Sequence, residues 1–454
     1  IKDPINKEDP KYLNTLGMLY DNIGKYENSE LLYKESLRIQ KELLGNEDFD
    51  TLASINRLGL LYKNKGDYEK SEELWEECLR IQRVKLGNNH LDTLTTINNL
   101  GILFQDQEKY EKSEVMFKEC LKIQSEVLGE NHIDTLTTMK NLGDLYKNQG
   151  EYENAEELYK KYLTIRRSKL TEKHPDTLSV MSNLAISYDN QGKSEEATEL
   201  YKECLQLQKE VLGENHPQAL LLMNNLGFLF YNQVEYDEAE ILLKECLEKR
   251  RDVLGNNDPD TLLTMFNLAT LYFNLEKYKE SEELYKECLK LRRKVLGDKH
   301  PDTLQLMSDL ASLYDKQGRY DKSRWLYEEC LEKRRITLGD DHPDTLLSMN
   351  SLGFLHHHQG RYDEAEPLWK ECLEKRKTTL GENDPETLIS MNNLAMLYEN
   401  QEKYEEAERL YKDCIEKMKE VLGNDHCDTL NVIDNLTSLY QKLGKNQDVE
   451  VEVV

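Results

Sequence analysis

No apolar run in this sequence approaches the roughly 20 residues that a membrane-spanning helix needs. An obvious one, Ala219 to Met223, stops far short of it. Nine prolines and 22 glycines are too few for a collagenous or linker-rich chain of 454 residues. Cations are also in deficit, with 60 Lys+Arg against 87 Asp+Glu and a formal net charge of −27. Phosphate-backbone binding depends on clustered Lys and Arg, so nucleic-acid partners are excluded as an expectation, as is membrane insertion. There is no initiator Met and no signal-peptide pattern, and the sequence is expected to be part of a longer protein.

Apolar residues reach only 38%, below the usual globular share, yet 26 Tyr accompany 8 Phe. A disordered acidic chain is poor in such aromatics. The composition predicts a folded protein with much surface per residue.

A repeat supplies the reason. Asp-Thr-Leu recurs with its Thr at Thr51, Thr93, Thr135, Thr177, Thr261, Thr303, Thr345 and Thr429, and Ala219 and Thr387 fill the gaps. Every step is 42 residues. Within one unit, Leu52, Ile55, Leu58, Gly59 and Tyr62 share one face of a first helix that Gly66 ends. Tyr68, Ser71, Trp75, Cys78 and Leu79 mark the buried stripe of a second helix, which stops at Gly87. Its early Glu69, Glu72 and Glu73 and late Arg80, Arg83 and Lys85 complement the helix dipole. Between units, Gly297, His300, Pro301, Asp302 and Thr303 exemplify a turn with Pro at the first helical position, which places His300 at or near the N-cap. The register predicts an all-α chain of ten helix pairs and an eleventh first helix, 429–445, as a cap. It divides the chain into a lead-in (1–8), one repeat domain (9–445) and a tail (446–454), whose residues Asp448 to Val454 carry the single strand-like signal.

Leu184, Ala185 and Tyr188, and then Gly360, Tyr362, Ala365 and Trp369, carry a pattern that resembles the tetratricopeptide repeat. The 42-residue form is similar to kinesin light chain repeats and to nephrocystin-3-like arrays. The resemblance implies an α-solenoid, a right-handed superhelix whose first helices line a concave wall. It also implies a protein–protein interaction scaffold that binds peptide segments or partner proteins there, as a kinesin light chain-like adaptor does. The alternative is the ligand-sensing or docking portion of a larger signalling protein whose effector or enzymatic domain lies elsewhere. A cytoplasmic location, with the cytoskeleton or a cilium as possible sites, follows from the same resemblance. The oligomeric state is not read from the sequence.

Physically, one pair cannot bury its apolar stripe alone, whereas stacked pairs bury a continuous core. Cys78, Cys120, Cys204, Cys246, Cys288, Cys330, Cys372 and Cys414 share one register position. Layers about 10 Å apart put neighbouring copies beyond disulfide reach, so they are expected to be small buried residues in a reduced protein. Cys427 replaces a turn Pro and is expected to be exposed. Seven of ten His fall in the inter-unit turns, where capping explains them. His356, His357 and His358 are consecutive and cannot share the three- or four-residue spacing of helical metal ligands. No phosphate loop, His-Glu-x-x-His or nucleophile elbow is present. The sequence therefore predicts no enzyme activity, no metal and no cofactor.

The wall position just before Leu-Gly/Ala reads Thr15, Arg57, Asn99, Asn141, Asn183, Asn225, Asn267, Asp309, Ser351, Asn393 and Asn435. An Asn ladder resembles the one that holds peptide backbones in related repeats, since an amide offers donor and acceptor together; the same Asn can instead tie neighbouring helices. Arg57, Lys63, Lys140 and Lys147 add candidate cations for an acidic peptide. Leu221, Phe228, Tyr231, Leu263, Phe266, Phe273 and Phe354 add an apolar stretch that serves either a partner pocket or repeat packing. The candidate peptide-binding set is Arg57, Lys63, Asn99, Lys140, Asn141, Lys147, Asn183, Asn225, Phe228 and Asn267.

Overall fold

A computed structural model describes residues 9–169 and 173–445. The lead-in 1–8 and the tail 446–454, with its strand-like Asp448 to Val454, lie outside the described residues. Among those described, all regular structure is helical. The chain divides into two compact units, one ending at Leu229 and the other beginning at Phe230. The first holds α1 (Pro10–Asn22), α2 (Tyr26–Leu44), α3 (Phe49–Lys65), α4 (Tyr68–Lys85), α5 (Leu91–Asp106), α6 (Tyr110–Val127), α7 (Ile133–Gln149), α8 (Tyr152–Lys169), α9 (Pro175–Asn190) and α10 (Ser194–Leu212). The division falls inside α11 (Pro217–Asn232). The second holds α12 (Tyr236–Val253), α13 (Pro259–Asn274), α14 (Tyr278–Val295), α15 (Pro301–Lys316), α16 (Tyr320–Leu338), α17 (Pro343–His358), α18 (Tyr362–Thr379), α19 (Pro385–Asn400), α20 (Tyr404–Val421) and α21 (Cys427–Lys442).

Within each unit every helix packs mainly on its predecessor and successor, the pattern of an α-solenoid built from helix pairs. Caps set the boundaries. His90, His132, His174, His300, His342 and His426 are N-caps whose Nδ1 accepts from the backbone N–H two residues on, as Asp258 and Asp384 do with a carboxylate oxygen. His216 does the same for Gln218 at 3.3 Å. The expected capping role of the seven turn histidines is therefore observed. The cap helix begins at Cys427, slightly earlier than expected, and buries Val432, Leu436, Leu439 and Tyr440.

Nine of the ten pairs close on one aromatic, and α12 carries Leu243 at that position. Trp75 lies flat against Gly59, where an added Cβ would sit 2.5 Å from its Nε1, and that N–H donates to the Asn56 carbonyl at 3.2 Å. Trp369, Gly353 and Asn350 repeat the arrangement. The residue before the second helix's Leu is a buried Cys that meets a first-helix carbonyl, for example Cys204 Sγ to Leu178 O at 3.4 Å. Burial pushes the Cys204 thiol up to about 11 and that of Cys78 to about 12. These eight thiols are free and inert, and Cys427 is exposed.

Two further columns join successive pairs. Glu30 takes Lys34 at 2.7 Å, Lys65 at 2.6 Å and the Tyr62 hydroxyl at 3.0 Å, bridging α2 to α3. Glu366 repeats this with Lys370, Gln401 and Lys403. The second column is buried and reads Gln40, Gln82, Gln124, Arg166, Gln208, Arg250, Arg292, Arg334 and Arg376. Arg250, fully buried, donates from Nη1 to the Asp260 carbonyl at 2.6 Å and to Thr264 Oγ1 at 2.7 Å. Arg334 and Arg376 bind the next first helix in the same way. A fixed register column carries this signal, yet attention to exposed side chains passes over it.

Candidate functional site on the first-helix wall

The candidate residues lie on the first helices α3 to α13, and their surroundings separate them into tied and untied groups. Lys63 pairs with Asp106 of the next first helix at 2.9 Å. Lys140 pairs with Asp144 at 3.3 Å, within α7. Lys147 donates to Asn183 Oδ1 at 3.1 Å, and burial lowers its pKa. Asn141 donates to Asn98 at 3.2 Å and Asn183 to Asp144 at 2.7 Å, both across a seam between successive first helices. Asn393 to Asn350 (2.9 Å) and Asn435 to Asn392 (3.0 Å) extend the same ladder in the second unit. Asn225 donates to the Tyr201 hydroxyl, and Asn267 is buried and engaged. Asn141, Asn183, Asn393 and Asn435 of this column thus tie one first helix to another.

Two of the ten candidates differ. Arg57 is exposed on α3 and Asn99 half-buried on α5, one pair further along the same column; neither makes a hydrogen bond or ion pair among the described residues. Arg57 borders two small cavities. One, about 310 Å³, is also lined by Lys11, Asn14, Gln40 and Asp50; the other, about 160 Å³, by Asn56, Gln82 and Asp92. Asn14 Oδ1, Gln40 Oε1 and Gln82 Oε1 are buried acceptors without a donor. Polar groups that want a partner therefore gather around Arg57. Sequence reading singled out the cation but not these acceptors, two of which, Gln40 and Gln82, belong to the buried Gln column.

The apolar stretch is mixed. Leu221 and Phe228 of the first unit are each 38% exposed. In the second unit, Phe266 lies 6.0 Å from the Tyr285 ring, Phe273 6.1 Å from Tyr278 and Tyr231 6.0 Å from Tyr236. Phe354 meets Trp369 edge-on at 5.0 Å. These four pack within or beside their own helix pair, while Leu263 keeps 39% exposure.

A second tie runs 43 residues apart near the ends of the first helices. It joins Asp21 to Asn64, Lys63 to Asp106, Asp315 to His358, His357 to Asn400 and Glu399 to Lys442. It is absent at Gln105, Lys147 and Asp189, among the described residues. At the start of α21, ligand atoms of His426, Cys427 and Asp428 lie within 4.8 Å of one another. His426 Nδ1 is already committed to the Asp428 N–H at 3.3 Å, the capping bond that every turn His makes.

Comparisons with known proteins agree with this architecture. The tetratricopeptide repeat family description matches ten overlapping stretches, 10–83, 50–126, 92–168, 149–210, 176–252, 221–293, 260–336, 316–374, 344–420 and 391–450. No curated protein matches the chain. Among solved structures, the quorum sensor NprR from B. thuringiensis, in its apo form, is 17% identical, covering 90% of this chain and 98% of that one with a TM-score of 0.50. BtubC (BKLC) from P. vanneervenii is 22% identical over 52% of this chain and 94% of that one, with a TM-score of 0.45. Nearly identical TPR-like repeats ascribed to a kinesin light chain of Podosopora anserina are 23% identical over 44% and 95%, with a TM-score of 0.41. At these identities the likeness concerns the fold alone.

Proposed function

Because the chain belongs to the tetratricopeptide repeat family, we propose that it is a protein-interaction scaffold that holds an extended peptide segment along its first-helix wall. The observation that carries this reading is the exposed, unpaired Arg57 beside buried acceptors without donors, with unpaired Asn99 one pair further along a wall on which Lys63, Asn141 and Asn183 are tied to their neighbours. An extended backbone offers N–H and C=O groups that such side chains satisfy without demanding a sequence. The role is non-enzymatic and adaptor-like, with residues 9–445 acting as one repeat domain. No helix among the described residues is long and apolar enough to cross a membrane.

The test pairs capture of partner proteins on the immobilised chain with hydrogen exchange of the complex. Arg57→Ala combined with Asn99→Ala is expected to weaken a captured partner roughly tenfold or more, on the scale of a charged hydrogen bond and a neutral one together. Protection is expected on the first helices. A partner that binds the double variant unchanged and protects only second helices overturns the proposal.

A further inference from the structure

Asp189, near the end of α9 in the first unit, is a half-buried carboxylate that makes no hydrogen bond and no ion pair among the described residues. Its register equivalents show what is missing. Glu399, five units on, accepts from the Tyr411 hydroxyl at 3.2 Å and pairs with Lys442 at 3.7 Å. At Asp189 the side chain is one methylene shorter, and the equivalent hydroxyl, Tyr201, is near enough to feel its charge but makes no hydrogen bond to it among the described residues. The register position of Lys442 carries Asn232, which has no charge to offer. Lys147, the cation one unit earlier, is turned to Asn183.

An isolated carboxylate held partly out of water is costly unless something neutralises it. Burial raises the Asp189 carboxyl, and no neighbouring cation or donor draws it back. On the next first helix of this unit, Phe228 leaves an aromatic face 38% exposed. A long cationic side chain has the complementary parts: a charged head for the carboxylate and an aliphatic stem for the apolar surface. The overall charge of −27 favours the approach of such a partner.

We propose that Asp189 is the subsite for one Lys or Arg side chain of the segment bound along the first-helix wall. This rests on the peptide-scaffold reading above and adds the chemistry of its ligand: a basic residue rather than the acidic one suggested by Lys63, Lys140 and Lys147, whose charges are spent within the fold.

A random dodecamer display library, selected in parallel on the wild-type chain, Asp189→Asn and Asp189→Lys, tests it. Wild-type binders are expected to be enriched at one position in Lys or Arg, with individual peptides losing roughly tenfold or more affinity when that residue becomes Gln. Asp189→Asn should abolish the enrichment, and Asp189→Lys should select Asp or Glu there. Both variants should remain folded by circular dichroism, since no contact is removed, and Asp189→Asn should melt at a slightly higher temperature. Enrichment that persists on Asp189→Asn, or binders without a basic residue, overturns the subsite while leaving the peptide-scaffold reading intact. Failure to select any wild-type binder counts against both.

Discussion

Asn183 Nδ2 on α9 donates to Asp144 Oδ1 on α7 at 2.7 Å, while its own Oδ1 accepts from Lys147. Both ends of this amide are thus used inside the protein, and Asp144 also accepts from the Tyr159 hydroxyl at 2.6 Å. Substituting Asn183→Ala removes two inter-helix hydrogen bonds and leaves partly buried groups behind. The expected loss is about 1–3 kcal/mol, seen as a lower melting temperature. Partner affinity, measured on the folded variant, should change less than with Arg57→Ala. A larger binding defect with no loss of stability counts against the tie.

Gly59 faces the Trp75 ring with no room for a side chain. Trp75 is fully buried, and its indole N–H is fixed on the Asn56 carbonyl, so it cannot retreat freely. Gly59→Ala should destabilise the chain by about 1–3 kcal/mol, although Ala is the better helix former. Other units place Ala at this position, as Ala185 does beneath Tyr201. Gly59→Ala combined with Trp75→Tyr should therefore recover most of the melting temperature lost by the single variant.

The helix pairs were legible in the sequence because the 42-residue register repeats caps, glycines and aromatic positions together. A mistake at one unit would contradict nine others. The site was legible only in part. Lys63 and Asn183 stand at wall positions, as their spacing says, but their availability depends on what lies 43 or 36 residues away across a seam. Periodicity along one helix does not encode that distance. Asp189 was invisible for the converse reason: it matters through partners that it lacks, and a sequence displays only the residues that are present.

Asp309 occupies the Asn column on α15, and its carboxylate receives only the Gln305 amide, at 3.2 and 3.3 Å. Burial raises its pKa to about 6, against the Gln305 hydrogen bond and the pull of Arg334 on α16 and Arg292 on α14; Tyr231, Tyr285, Tyr327 and Cys330 are its other titratable neighbours. The folded state therefore holds a proton that the unfolded chain releases near its ordinary carboxylate pKa. Stability from this group grows as pH falls from above 6 towards 4 and is lost above that window. Asp309→Asn mimics the protonated form. It should raise the melting temperature at pH 7.5, by up to about 3 kcal/mol in stability terms, and the advantage should fade below pH 5. Equal shifts at both pH values would show that the carboxylate is not the cause.

The Glu at the centre of the clamp is replaced twice, by Thr198 on α10 and by Arg324 on α16. On α16 the register also places Glu328 where most units carry Lys, and His356 on α17 replaces the bridging Tyr. Arg324 turns to Asp321 at 3.2 Å, and Arg361, whose equivalents reach back to the Glu, pairs with Glu364 instead. His356 is buried, with Nδ1 3.1 Å from Glu364 Oε2. Burial lowers its pKa; Glu364 on α18 and Glu328 on α16 oppose this, and Arg361 on α18 and Arg324 on α16 reinforce it. Since the folded pKa lies below the unfolded one, the unfolded chain takes up the proton first. The stability this His contributes is complete above about pH 6.5 and declines as pH falls below it. Arg324→Glu, Glu328→Lys and His356→Tyr together rebuild the clamp with a residue that does not titrate there. The triple variant should melt higher at pH 7.5, and its advantage should widen by pH 5.5. An advantage that stays constant or shrinks across that interval would place the weakness of this seam in the missing ion pairs rather than in the histidine.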